Sequence, residues 1–238
     1  MGIVEKYRET FDFHKREGAT NYGPFVRFFS YPFAILVVAI IKKWRIFTPN
    51  FVTSLSLFCH IVGCVILVYI PEYYALLLSL SCFYLSMVLD SCDGLLARIN
   101  KQQSQFGGFY DILTDQLGGA MIFIAVSIRL SIIDENFFYI GMFCIGIIQV
   151  NGVVDTLLNS YKKDQKLKDK LSTGGALIKN KGPILKIIEN TIGFFGTIYS
   201  SLFLFLILNR LDLFLFAFPS LVLVLLMKRI YSFYKIAS

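Results

Sequence analysis

The sequence predicts an all-α integral membrane protein: six transmembrane helices preceded by an N-terminal amphipathic interfacial helix. Three observations predict it. Of 238 residues, 56% are hydrophobic and only 16% charged, where a soluble domain of this size carries about a quarter charged residues. The apolar residues collect in long runs separated by charged or turn-forming segments, which makes a bilayer the expected solvent. The basic residues then segregate to one side of those runs, as membrane topology requires.

Residues 1–48 read as a cytoplasmic N-terminal segment. Its first thirty residues are charged and lack a cleavable apolar core, so no signal peptide is expected. Tyr31 to Ile41 is an apolar stretch too short to span, followed by Lys42, Lys43, Trp44 and Arg45. A helix lying in the cytoplasmic interface is the expectation, with Pro32 in its first turn. Thr48-Pro49-Asn50 breaks the chain, because a proline restricts the residue before it.

Residues 49–238 read as a six-helix catalytic domain. The spans fall near 51–70, 74–97, 108–132, 137–159, 184–208 and 211–230, each approaching the roughly 20 residues that cross the hydrocarbon. With six spans, 21 of the 23 Lys and Arg lie on one side, leaving only Arg129 and Arg210 on the other beside Asp134, Glu135 and Asp212. An odd number of spans destroys this segregation. Both termini are therefore expected in the cytoplasm. The net charge of +7 follows from basic loops beside anionic head groups and calls for no nucleic-acid partner. The five cysteines, Cys59, Cys64, Cys82, Cys92 and Cys144, lack ligand spacing and read as small core residues without disulfides.

Four aspartates interrupt the apolar pattern. Asp90 and Asp93 lie three residues apart on the second span and share a face, which Gly94, Ala97 and Arg98 continue. Gly107, Asp111 and Asp115 recur every fourth residue on the third span, again on one face. The short 99–106 connection makes the two spans an antiparallel hairpin whose carboxylate faces oppose each other near the cytoplasmic side. Ionisable groups in a membrane segment are costly and read as functional. Four carboxylates facing one Arg98 cannot all stay ionised without compensation. Divalent cations are the economical answer. Ligation by carboxylates alone selects Mg²⁺ or Mn²⁺ over zinc, and such ions suit phosphate substrates. Gly94 and Gly107 clear space where a bulky ligand approaches the backbone.

The run Asp90-Ser-Cys-Asp93-Gly94-Leu-Leu-Ala97-Arg98, then Gly107, Asp111 and Asp115, resembles the signature of the CDP-alcohol phosphotransferase (CDP-alcohol phosphatidyltransferase) family at every position. Pro49-Asn50-Phe-Val-Thr53 and the six-span layout extend the resemblance. It implies a metal pair held by Asp90, Asp93 and Asp111, with Asp115 adding to the site and serving as general base. It also implies that Gly94, Ala97, Arg98 and Gly107 hold the CDP group, with Asn50 and Thr53 helping at the nucleotide. The implied reaction passes a substituted phosphate from a CDP-linked donor, above all CDP-diacylglycerol or a similar CDP-lipid, to a small alcohol or alcohol phosphate. CMP leaves, and the product is a membrane phospholipid. Homodimers working at the cytoplasmic leaflet are implied as well. The alternative within the signature is a soluble CDP-alcohol donating its head group to a lipid. A cation transporter is the alternative outside it, disfavoured because the acidic residues cluster at one end and form no path across.

The fourth span carries Asn151, Asp155 and Asn159 at four-residue intervals, a stripe that lines an acceptor pocket or bonds helices together. Lys186, Lys228 and Arg229, near the cytoplasmic ends of the last two spans, either bind an acceptor phosphate or sit where topology alone places basic residues. The Lys-rich 160–182 loop with Thr173-Gly174-Gly175 reads as solvated, near anionic lipid. His60, alone in the first span, reads as a packed or hydrogen-bonded residue.

Overall fold

The computed structural model describes residues 2–16, 26–163 and 194–237, and among these the chain is helical without strands. Helix α1 (Ile3–Arg16) and α2 (Tyr31–Ile41, entered through a π-turn at Val26–Ser30) precede the long helices. Those are α3 (Pro49–Tyr69), α4 (Tyr73–Ile99), α5 (Gln105–Ser131) and α6 (Asn136–Lys163), followed by α7 (Phe194–Ile207) and α8 (Leu211–Ala237).

Four of the six expected spans appear as helices long and apolar enough to cross a membrane: Pro49–Tyr69, Tyr73–Ile99, Gln105–Ser131 and the part of α6 from Asn136 to Val154. Of the fifth span, 194–207 is helical and its first residues lie outside the described ones, as do Lys186 and the loop from 164. The sixth falls within α8, whose apolar stretch among the described residues, Leu211–Val224, is shorter than a span and carries Pro219 inside it.

Local sequence explains where these helices start. Thr48 caps α3, its Oγ1 accepting from the Phe51 amide at 3.3 Å, and Pro49 takes the first turn, where a missing N–H costs nothing. Ser104 caps α5 in the same way through the Gly107 amide at 2.9 Å. At the far end, Arg129 donates to the carbonyls of Leu67, Ile70 and Pro71 at 2.7–2.8 Å, closing the C-terminus of α3. Arg210 instead forms a forked pair with Asp212 at 2.9 and 3.0 Å.

Two apolar cores hold the helices. Phe83, Phe123, Ile122, Leu202, Leu206 and Phe214 join α4, α5, α7 and α8, with Phe123 and Phe214 stacked at 4.9 Å. The α5–α6 seam needs a glycine, because any Cβ at Gly141 would land on Ser127. The second core joins α2 to α4 through Ala34, Ile35 and Val38 against Val88, Cys92 and Leu96. Cys92 and the other four cysteines are free thiols.

Two features depart from expectation. The outer face of α2 shows Phe33, Leu36 and Ile40, so it is apolar where an amphipathic helix would be polar. Its basic residues come only after its end. Helix α1, unforeseen, packs on α2 and ties to it by a 2.6 Å ion pair between Glu9 and Lys42. The Lys42 ammonium beside it holds the Glu9 carboxyl below its ordinary range.

Candidate active site

The four aspartates occupy adjoining turns of α4 and α5. One carboxylate oxygen each from Asp90, Asp93 and Asp111 lies within 4.8 Å of the others. Asp115 stands outside that trio and meets the Asp90 carboxyl within hydrogen-bonding reach. Spacing along the helices thus separates the fourth carboxylate from the other three.

The supporting helix is α3. It packs against both α4 and α5, whereas those two make few close contacts with each other. The expected hairpin is therefore splayed, and α3 carries the side chains that bridge the gap. Thr53 is buried and donates from Oγ1 to Asp93 Oδ2 at 2.5 Å. Asn50 lies one turn earlier, its Oδ1 placed so that a Cβ on Gly107 would approach it to 3.2 Å. The same Cβ would sit 3.0 Å from Ser104 Oγ, so a glycine at 107 keeps the mouth of the site open.

Between these elements opens a pocket of about 200 Å³. Asn50, Thr53, Asp93, Gly94, Ala97 and Arg98 form one wall, and Gly107 and Asp111 face them. Every residue the sequence assigned to nucleotide binding reaches this pocket. Asp90 and Asp115 lie off its wall.

Sequence reasoning missed the rim formed by Gln102, Gln103, Ser104 and Gly108. Its course follows from how α4 ends. Lys101 adopts a left-handed conformation with φ 54°, the Gln102 amide donates to Ala97 O at 2.8 Å and the Lys101 amide to Arg98 O at 3.3 Å. That paired closure is a known way to end a helix. The usual signal is glycine at the left-handed position, and lysine there hides it.

The second expected polar group is only partly described. Asn151 is buried, while the side chains of Asp155, Asn159, Lys228 and Arg229 lie outside the described residues.

The donor set fits a divalent cation. Carboxylate oxygens from three residues converge in a space of a few ångströms, with no His or Cys among them, as hard ions prefer. Among the described residues that line the pocket, Arg98 is the one cation to set against these negative charges.

Fold and site together define a helical membrane protein with an acidic centre beside an open polar pocket. Residues 46–225 match the family described as CDP-alcohol phosphatidyltransferase, and the chain belongs to that family. It is also similar to the CDP-diacylglycerol--glycerol-3-phosphate 3-phosphatidyltransferase of Cereibacter sphaeroides (strain ATCC 17023), with 38% identity over 86 residues. That stretch covers 36% of this chain and 37% of the relative.

Proposed function

We propose that the protein transfers the phosphatidyl group of a CDP-linked lipid to the hydroxyl of a small polar alcohol or alcohol phosphate, releasing CMP. The observation that carries this reading is the convergence of Asp90, Asp93 and Asp111, of which Asp93 and Asp111 line a pocket together with Gly94, Ala97, Arg98 and Gly107. The similarity to the Cereibacter CDP-diacylglycerol--glycerol-3-phosphate 3-phosphatidyltransferase supports a CDP-lipid donor.

Asp90, Asp93 and Asp111 would hold one or two Mg²⁺ or Mn²⁺ ions, which when bound neutralise charge on the donor's pyrophosphate. Asp115 adds its charge from behind Asp90. Thr53 fixes the Asp93 carboxylate, and Arg98 on the pocket wall faces phosphate oxygens. Gly94 and Gly107 leave room for the nucleotide. The acceptor's oxygen attacks the phosphorus that carries the lipid. That P–O bond forms as the bond to CMP breaks, and Asp115 takes the hydroxyl proton. In-line transfer of this kind relies on positioning and charge neutralisation rather than a covalent nucleophile.

The reading includes cytoplasmic termini, a site at the cytoplasmic leaflet and a homodimer. The basic-residue count supports the orientation. Donor choice is the direct test. Purified protein in detergent is given CDP-diacylglycerol or CDP-choline, each with Mn²⁺ and a panel of acceptors including glycerol phosphate, inositol phosphate and serine. CMP release from CDP-diacylglycerol with one small acceptor is expected. Release only from CDP-choline with diacylglycerol would replace this reading with its reverse.

A further inference from the structure

Directly beneath the carboxylates, in the apolar interior of the bundle, lies a polar group the proposed chemistry does not use. His60 of α3 is 3% exposed. Its Nδ1 is hydrogen-bonded to Ser86 Oγ of α4 at 3.1 Å. Ser56, one turn before His60, donates from Oγ to the Ser86 carbonyl at 2.9 Å and lies 3.0 Å from Ser86 Oγ. On the opposite side the imidazole presses against α5 at Gly118, where a Cβ would come within 3.1–3.4 Å of three ring atoms.

The register of these contacts is what matters. Ser86 is one turn from Asp90 on α4, Ser56 is one turn from Thr53 on α3, and Gly118 is one turn from Asp115 on α5. The imidazole, carried by α3 two turns beyond Thr53, therefore touches α4 and α5 each one turn below the carboxylate that helix contributes. Close contacts between α4 and α5 are few, so their separation is set through α3, and His60 is the side chain of α3 that spans both gaps. An apolar residue would bury at lower cost, since a buried polar group must recover its lost hydration through hydrogen bonds. In return, the hydrogen bond to Ser86 admits only one rotation and one spacing of the helices, which an apolar contact does not enforce.

We propose that His60, through Ser86 and Gly118, is a positioning residue that sets the spacing of the carboxylates and thereby the metal affinity of the centre. The inference rests on the metal-centre reading above, and one experiment separates the two. Mn²⁺ binding to the purified full-length protein in detergent is followed by electron paramagnetic resonance. Saturable Mn²⁺ binding by the wild type that is lost in Asp93→Asn upholds the centre itself; its absence overturns both ideas.

Given wild-type binding, His60→Leu is expected to weaken Mn²⁺ by about tenfold or more, the usual cost of losing an outer-shell partner. The metal concentration for half-maximal CMP release should rise by the same factor while the donor KM stays within about twofold. His60→Asn, whose amide occupies the place of Nδ1 towards Ser86, should recover most of the loss. Equal Mn²⁺ affinity in wild type and His60→Leu, or equal weakening by Leu and Asn, would overturn the proposal. Ser86→Ala provides a gentler version should His60→Leu not fold: weakened Mn²⁺ binding supports the proposal, and unchanged binding overturns it.

Discussion

Thr53 makes the contact at the site that is most sensitive to a single atom. Its hydroxyl donates to Asp93 at 2.5 Å from a buried position, so one of the carboxylates lining the pocket is held by one Oγ1. Thr53→Val keeps the shape and removes the donor. The expected outcome is a ten- to hundredfold loss of metal affinity, read as a raised Mn²⁺ requirement for CMP release, with Thr53→Ser close to wild type. A Thr53→Val protein with the wild-type metal requirement would show that Asp93 is aimed by something else. The signature made most of this site legible, because aspartates three and four residues apart must share a helix face. The Thr53–Asp93 bond was not legible as a contact. It joins residues 40 apart in sequence, and nothing local to either fixes their meeting.

At the scale of elements, the helix boundaries followed from caps and prolines that act within a few residues. Thr48-Pro49 and Ser104 start α3 and α5 where side chains satisfy the first free amides. The connection from α4 to α5 was harder to foresee, since its left-handed residue is a lysine. A side chain costs about 1 kcal/mol in that conformation, a cost glycine avoids. Lys101→Gly is accordingly expected to raise the thermal unfolding midpoint in detergent by about 2 °C. A lower midpoint would mean that the lysine side chain holds the loop in some other way. The splay of α4 and α5 was also illegible. A short connection makes two helices neighbours, and helix α3 lying against both is what opens the space that becomes the pocket. Helix α2 differed for a similar reason: its sequence is apolar all round, and only contact with α4 decides which face is inner.

For the whole molecule, hydropathy and charge segregation carried the architecture. Described ends of the helices agree with alternation: Arg129 joins the end of α5 to residues 67–71, and Tyr73 donates to Ile207 O at 3.0 Å at that same end. The aspartates and the 100–104 connection lie at the other. Single cysteines placed at Asp134 and Lys101 in a variant lacking the native thiols should be labelled by a membrane-impermeant reagent from opposite faces of sealed vesicles. Labelling of both from one face would break the six-span layout and with it the cytoplasmic site.

The central claim joins this architecture to one chemistry, in which carboxylates on α4 and α5 act on a CDP-linked donor. Asp115 tests it most directly, because it is not one of the three converging carboxylates and is assigned the proton transfer. The measurement is CMP release from CDP-diacylglycerol by wild type and Asp115→Asn, each with excess Mn²⁺ and again with a chelator. The account predicts that chelation abolishes release and that Asp115→Asn lowers it by about a thousandfold, within the range for loss of a general base. Release that survives both chelation and Asp115→Asn would contradict it.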